Sequence, residues 1–141
     1  MPRIQQTVRE VVAHDQRGEY ATWEHFDDAL WIALCSICTS EQVTRQLPEP
    51  VWVYYATRYM QWEVGNGGFA QAAMNIPGWF ELAAQGNDIL GKPQIAALIR
   101  EAHAVVLQET ERIDQARAEG LESAFTYFRE GVFAPFDNQY T

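Results

Sequence analysis

The sequence predicts an all-α fold, and three observations carry that prediction. Apolar residues recur at spacings of three and four, no segment reads as a strand, and the strongest interruptions are Pro and Gly clusters between helix-length runs. The chain has 141 residues, 48% hydrophobic and 21% charged, which is ordinary globular composition. That length predicts one compact domain over 1–141, of about six to seven helices. Five Trp, six Tyr and seven Phe supply bulky core filling.

Pro2 suits a first helical turn, and Ile4, Val8, Val11 and Val12 keep helical spacing until Arg17-Gly18. Thr22 is placed to cap a second helix through Ile37, with Glu24, Asp27 and Asp28 early in it, where the helix dipole favours acids. The apolar run that follows them reads as buried. Ser40 caps a short helix to Leu47, and Pro48-Glu49-Pro50 breaks the chain. Val51 to Val64 is aromatic and too long for an ordinary strand, so it reads as a central helix. Gly65-Asn66-Gly67-Gly68 should end it, with a short helix from Phe69 to Asn75 beyond the turn. A further helix from Trp79 to Gln85 is expected to stop at Gly86-Asn87-Asp88. Pro93 then opens the longest helix, to about residue 119, with Leu98, Ile99, Ala102, Val106 and Ile113 in one stripe. Gly120 ends it, Leu121 to Arg129 forms the last helix, and Phe133, Phe136 and Tyr140 are expected to dock on the core.

Ten basic against 19 acidic residues give a net charge of −9, which sets a repulsive field against phosphate backbones and anionic lipid. Direct nucleic-acid and membrane binding are disfavoured, and a basic protein partner is favoured. The apolar, uncharged run Ala29 to Ser40 is too short to span a membrane. The N-terminal residues lack the apolar stretch of a signal peptide, and two cysteines three apart suit a reducing compartment, so a cytoplasmic location is expected. The acidity concentrates in 19–91 (−7) and 101–141 (−5).

Catalytic signals are absent. Cys35-x-x-Cys38 lies in an apolar helical run without a second cysteine pair, so core packing is its expected role and no metal or cofactor is expected. His14, His25 and His103 show no metal-ligand spacing, and the Gly-rich turn lacks the Lys-Ser/Thr of a phosphate loop. The informative constellation is Glu63, Asn66, Gly67, Gly68, Phe69, Gln71 and Asn75. Glu63 follows Tyr59 by four residues and shares its helix face. Read structurally, Glu63 caps the helix that follows the turn, at Gly67, Gly68 and Phe69, while Gln71 and Asn75 brace neighbouring loops. Read functionally, the same groups form a polar pocket with aromatic walls from Tyr55, Tyr59 and Trp62, for a small molecule or peptide, with hydrolysis as its enzymatic form.

The run Trp62-Glu63-Val64-Gly65-Asn66-Gly67-Gly68-Phe69-Ala70-Gln71, followed by Asn75, resembles the signature of the DNA-mimic-protein family first named from Neisseria. Gly91 to Ala104 resembles that family's entry into a long helix, and Phe136-Asp137 with Tyr140 its closing element, so the likeness covers about 20–140. The resemblance implies an all-helical, non-enzymatic protein whose acidic side chains imitate phosphates to occupy a DNA-binding protein. The residues expected to do so are Glu24, Asp27 and Asp28, and Glu109, Glu111, Asp114, Glu119 and Glu122. Arg45, Arg58, Arg112, Arg117 and Arg129 interrupt these acidic blocks. A third reading is recognition by another protein through exposed aromatics. The sequence leaves the oligomeric state open, a homodimer included.

Overall fold

The computed structural model describes residues 6, 9–11, 13, 18, 22–120 and 122–140, the side chains of 122–124 excepted. Ile4, Val8 and Val12 of the expected first helix, His14, and Leu121 lie outside the described residues; Gln6, Arg9 to Val11 and Ala13 are helical. Every regular element among the described residues is helical, as the sequence predicts. None of these helices is long and apolar enough to cross a membrane. Contacts group the chain into two compact units, Met1–Tyr55 and Ala56–Thr141.

In the first unit, α1 (Trp23–Cys35) begins as expected, with the Thr22 hydroxyl accepting from the His25 N–H at 3.3 Å. Helix α2 (Glu41–Arg45) is capped in the same way by Ser40 on Val43 N–H at 3.2 Å. The start of α3 (Glu49–Asn75) belongs here through Tyr55, with Pro50 accommodated in its first turn. Trp31 stacks on Tyr55 with ring centroids 4.6 Å apart, and the Tyr54 hydroxyl donates to the Asp27 carboxylate. The expectation of a buried apolar run in α1 is corrected: only Leu34 in that helix is buried, and Ile32 is 70% exposed. Burial resumes at Cys38, Thr44 and Leu47.

In the second unit, α3 continues to Asn66, breaks at Gly67 and Gly68, and resumes as helix from Phe69 to Asn75. Gly68 takes a left-handed φ of 69°, which glycine adopts without a Cβ penalty. A 3-10 turn at Pro77–Trp79 leads into α4 (Phe80–Ile89). This helix passes through the expected stop at Gly86-Asn87-Asp88. The Asn87 amide donates back to the Ala83 carbonyl at 2.9 Å and stays buried, so it serves the helix instead of ending it, and the reversal falls at Gly91 (φ 73°).

Helix α4 packs against α5 (Pro93–Gln108), with Phe80 stacked on His103 at 5.6 Å, and Ala83, Ala84, Ala96 and Ala102 are all buried. The expected long helix over 93–119 divides at Glu109 into α5 and α6 (Thr110–Glu119). There the Thr110 hydroxyl bonds the carbonyl of Val106 at 3.0 Å, the local competition with the backbone that bends helices at Thr. Leu98, Ile99, Ala102, Val106 and Ile113 form the predicted buried stripe, and Gly120 closes α6 at φ 62°.

The last predicted helix, Leu121 to Arg129, is found as α7 (Glu122–Tyr127) running into a π-helical turn (Phe128–Val132), and a short helix the sequence does not suggest, α8 (Ala134–Asp137), follows. The wider turn lets Phe128 and Phe133 both point inward, fully buried with ring centroids 6.1 Å apart. The aromatic tail docks as expected, with Phe136 and Tyr140 meeting Phe69 edge-on at 6.3 and 5.4 Å.

Two glycines in α3 make a controlled comparison. A Cβ at Gly68 would lie 2.5 Å from the Asp137 carboxylate on a left-handed backbone, whereas one at Gly65 would meet nothing within 4 Å on a helical backbone. Urea denaturation should show Gly68→Ala destabilised by about 2 kcal/mol or more, and Gly65→Ala unchanged or stabilised by about 0.5 kcal/mol.

Candidate functional site

The Asn-Gly-Gly break leaves a helix N-terminus at Phe69, and its open N–H needs an acceptor. Glu63 is the acceptor the sequence suggests, and the structure corrects that. The Phe69 N–H donates to Asp137 Oδ1 at 2.7 Å, from the far end of the chain. Gly68 is free of a Cβ where the Asp137 carboxylate presses in. Burial holds the Asp137 carboxyl above its ordinary value, against the opposing pull of the Phe69 N–H and of Arg129.

Glu63 turns to the other side chains of the signature. Its Oε2 accepts from Gln71 Nε2 at 2.8 Å and from Asn75 Nδ2 at 3.0 Å, and the residue is 6% exposed. Gln71 and Asn75 therefore brace Glu63 and not separate loops. Gly67 is part of the same construction, because a Cβ there would fall 2.8 Å from Gln71 Cβ. Asn66 and Asn75 are exposed at the edge of the cluster. The aromatic residues expected as walls divide. Tyr59 packs edge-on to Trp79 at 5.2 Å, Trp62 is 57% exposed, and Tyr55 lies in the first unit against Trp31.

The acidic residues fall in both units. In α1, Glu24 and Asp28 are exposed, while Asp27 is half-buried and takes the Tyr54 hydroxyl. Hydrogen bonding to its own backbone N–H and to Thr22 holds Glu24 below the usual carboxylate range. In α6, Ile113 and Ala116 face the core, and Glu111, Asp114 and Glu119 lie exposed on the outer part of the helix. Asp114 is 66% exposed at the side chain, whereas Glu109 is 19% exposed and lies 3.5 Å from Arg112. The Glu122 side chain lies outside the described residues.

The arginines that interrupt this block divide their contacts: Arg112 reaches Glu109 and Arg117 Nη1 lies 3.9 Å from Asp114 Oδ1, while each also bonds outside the block. Arg117 donates through Nε and Nη2 to the Met74 carbonyl at 3.0 and 2.7 Å, closing the C-terminus of the Phe69–Asn75 helix. Arg112 donates to the Tyr127 hydroxyl. On α5, Arg100 bridges Asp88 at 2.8 Å and Glu81 at 3.3 Å, which removes those two acids from the open acidic surface.

Cys35 is exposed and Cys38 buried, and burial pushes the Cys38 thiol up to about 11. Among the described residues no group of three or more His, Cys, Asp or Glu could hold a metal ion. Sequence reasoning missed Asp137 as the cap and Arg117 as the closing cation. The only sequence signal for either was the likeness of Phe136-Asp137 to a family's closing element.

The family model described as DMP19-like protein matches residues 45–141. That span holds the whole Glu63–Asn75 cluster, Asp137 and α6, and it starts later than the likeness expected from about residue 20. No curated protein and no solved structure matches the chain.

The Asp137 carboxyl, raised above 3.8, favours the protonated folded state in the interval between 3.8 and its folded value. Rising pH through that interval should cost the wild type stability, while Asp137→Asn, which cannot titrate, gains relative to it; urea midpoints across a pH series check the sign. Asp137→Ala should lose about 1 kcal/mol at low pH, as for a deleted helix cap, and, being equally unable to titrate, should narrow that deficit as pH rises. For the thiols, iodoacetamide on the native chain near about pH 8 should add one group, at Cys35, by mass spectrometry, with Cys38 following only after unfolding.

Proposed function

Because this chain belongs to the DMP19-like protein family, we propose that it acts as a DNA mimic, a non-enzymatic acidic module that occupies the basic surface of a DNA-binding protein. The observation that carries this reading is the outer face of α6. Glu111 and Asp114 are exposed there three residues apart, about 4.5 Å along the axis, and Glu119 follows about 7.5 Å further. One strand of a duplex presents a charge about every 3.4 Å, so these carboxylates space their charge on the same scale as phosphates. The bonds of Arg117 to the Met74 carbonyl and of Arg112 to Tyr127 support it further, since neither guanidinium pairs with Glu111 or Glu119 and Arg117 touches Asp114 only at 3.9 Å. Glu24, Asp27 and Asp28 form a second acidic block, in the other unit, that takes part on the same principle. Complementary charge of this kind speeds encounter and is screened by salt.

The reading is tested by capture of a DNA-binding partner on immobilised wild type and on a variant carrying Glu111→Lys, Asp114→Lys and Glu119→Lys. The wild type should hold the partner at low salt, lose at least about tenfold in affinity in high salt, and release it to competing duplex DNA. The triple variant should bind at least about tenfold more weakly at low salt while keeping the wild-type helical content. Binding that is indifferent to both salt and charge reversal would overturn mimicry.

A further inference from the structure

The Glu63 cluster asks why a carboxylate stands where an amide would serve. Gln71 and Asn75 both donate to one oxygen, Oε2, at 2.8 and 3.0 Å. A glutamine at 63 would supply that single acceptor without the cost of burying a charge. Glu63 is nonetheless charged in type, 6% exposed, and without an ion-pair partner among the described residues. Its second oxygen, Oε1, takes no donor there. No buried side-chain oxygen or nitrogen among the described residues is left unpartnered, so Oε1 keeps some contact with solvent. The two amides hold the carboxylate in one orientation, with Gln71 seated over the bare Cα of Gly67.

From this geometry we infer that Glu63, fixed by Gln71 and Asn75, is a binding site for a primary ammonium group presented to Oε1. One oxygen left without a donor suits a compact ammonium, which needs a single acceptor. The bidentate fork that favours guanidinium over ammonium uses both carboxylate oxygens, and Oε2 is already occupied by two amides. The exposed Asn66 and Asn75 lie at the edge of the cluster. The site shares no residue with the acidic face of α6, so either can fail alone.

The ammonium has two sources, a free alkylamine or a lysine side chain of a polypeptide, and one titration separates them. The full chain, 15N-labelled on side-chain amides and 13C-labelled on Glu carboxyls, is titrated with n-butylammonium, with the peptide acetyl-Gly-Lys-Gly-amide, with methylguanidinium and with KCl at matched ionic strength. Both amines should shift the Gln71 and Asn75 NH2 signals and the Glu63 carboxyl signal saturably, with half-saturation on the order of 1–10 mM. The tighter of the two identifies the source. Glu63→Gln, which keeps an acceptor for both amides, should retain the fold and lose at least about tenfold in amine affinity. If that variant fails to fold, the Glu63 carboxyl signal of the wild type decides. No saturable shift, an equal response to KCl or methylguanidinium, or undiminished binding by Glu63→Gln would each overturn the inference.

Discussion

The second unit depends on one hydrogen bond, from the Phe69 N–H to the Asp137 carboxylate at 2.7 Å. Helix α3 must change direction after Asn66, and Gly67 and Gly68 permit this by leaving helical dihedrals, one of them into the left-handed region. The break exposes a fresh helix N-terminus, whose amide would be costly to leave unmet in a part-buried place. Asp137 meets it, and with it come Phe136 and Tyr140, whose rings close on Phe69. Phe69 is fully buried among them and Phe80, so the polar contact and the aromatic packing hold the same point from two sides. Removing the acid would loosen the cluster, and adding a Cβ at Gly68 would expel the acid.

Carboxylates are used here in three distinct ways. Asp137 satisfies a backbone donor, Glu63 organises two side-chain amides in near-complete burial, and Glu111, Asp114 and Glu119 stand exposed on α6 with at most intrahelical partners among the described residues. The basic residues sort to match. Arg100 neutralises Glu81 and Asp88, and Arg117 satisfies a helix C-terminus, where cations are favoured by the helix dipole. The net charge of −9 is therefore unevenly expressed, because Arg45 and Arg100 pair with acids outside α6 and Glu111 has no arginine partner among the described residues, while Arg117 reaches Asp114 at 3.9 Å.

Local physics was legible in the sequence and distant partners were not. Thr22 and Ser40 announce their caps because the acceptor and the N–H lie three residues apart. The Gly67-Gly68 break and the Gly120 terminus are likewise properties of a few consecutive residues. Gly86-Asn87-Asp88 misleads, because the same Asn that could end a helix can also bond back into it when buried. The division at Glu109 turns on where the Thr110 hydroxyl goes, which periodicity does not encode. The apolar residues of α1 show helical type clearly, but not how much of that helix is covered. Within the Glu63 cluster the participants were evident from composition and spacing. Their pairing was not, because the better acceptor for Phe69 lies 68 residues away.

That separation matters during synthesis. Translation proceeds from the N-terminus at about 5–20 residues per second, so Phe69 waits on the order of 3–14 s before Asp137 is even made. During that interval the nascent chain carries an uncapped helix start and an unshielded phenyl ring, features that a chaperone would recognise and that a neighbouring nascent chain could engage wrongly. Residues 136–140, made well after Phe69, thus act as a latch on one of the earlier decisions of the unit. A fusion partner attached behind them would influence yield through the timing of that latch, independently of how stable the finished molecule is.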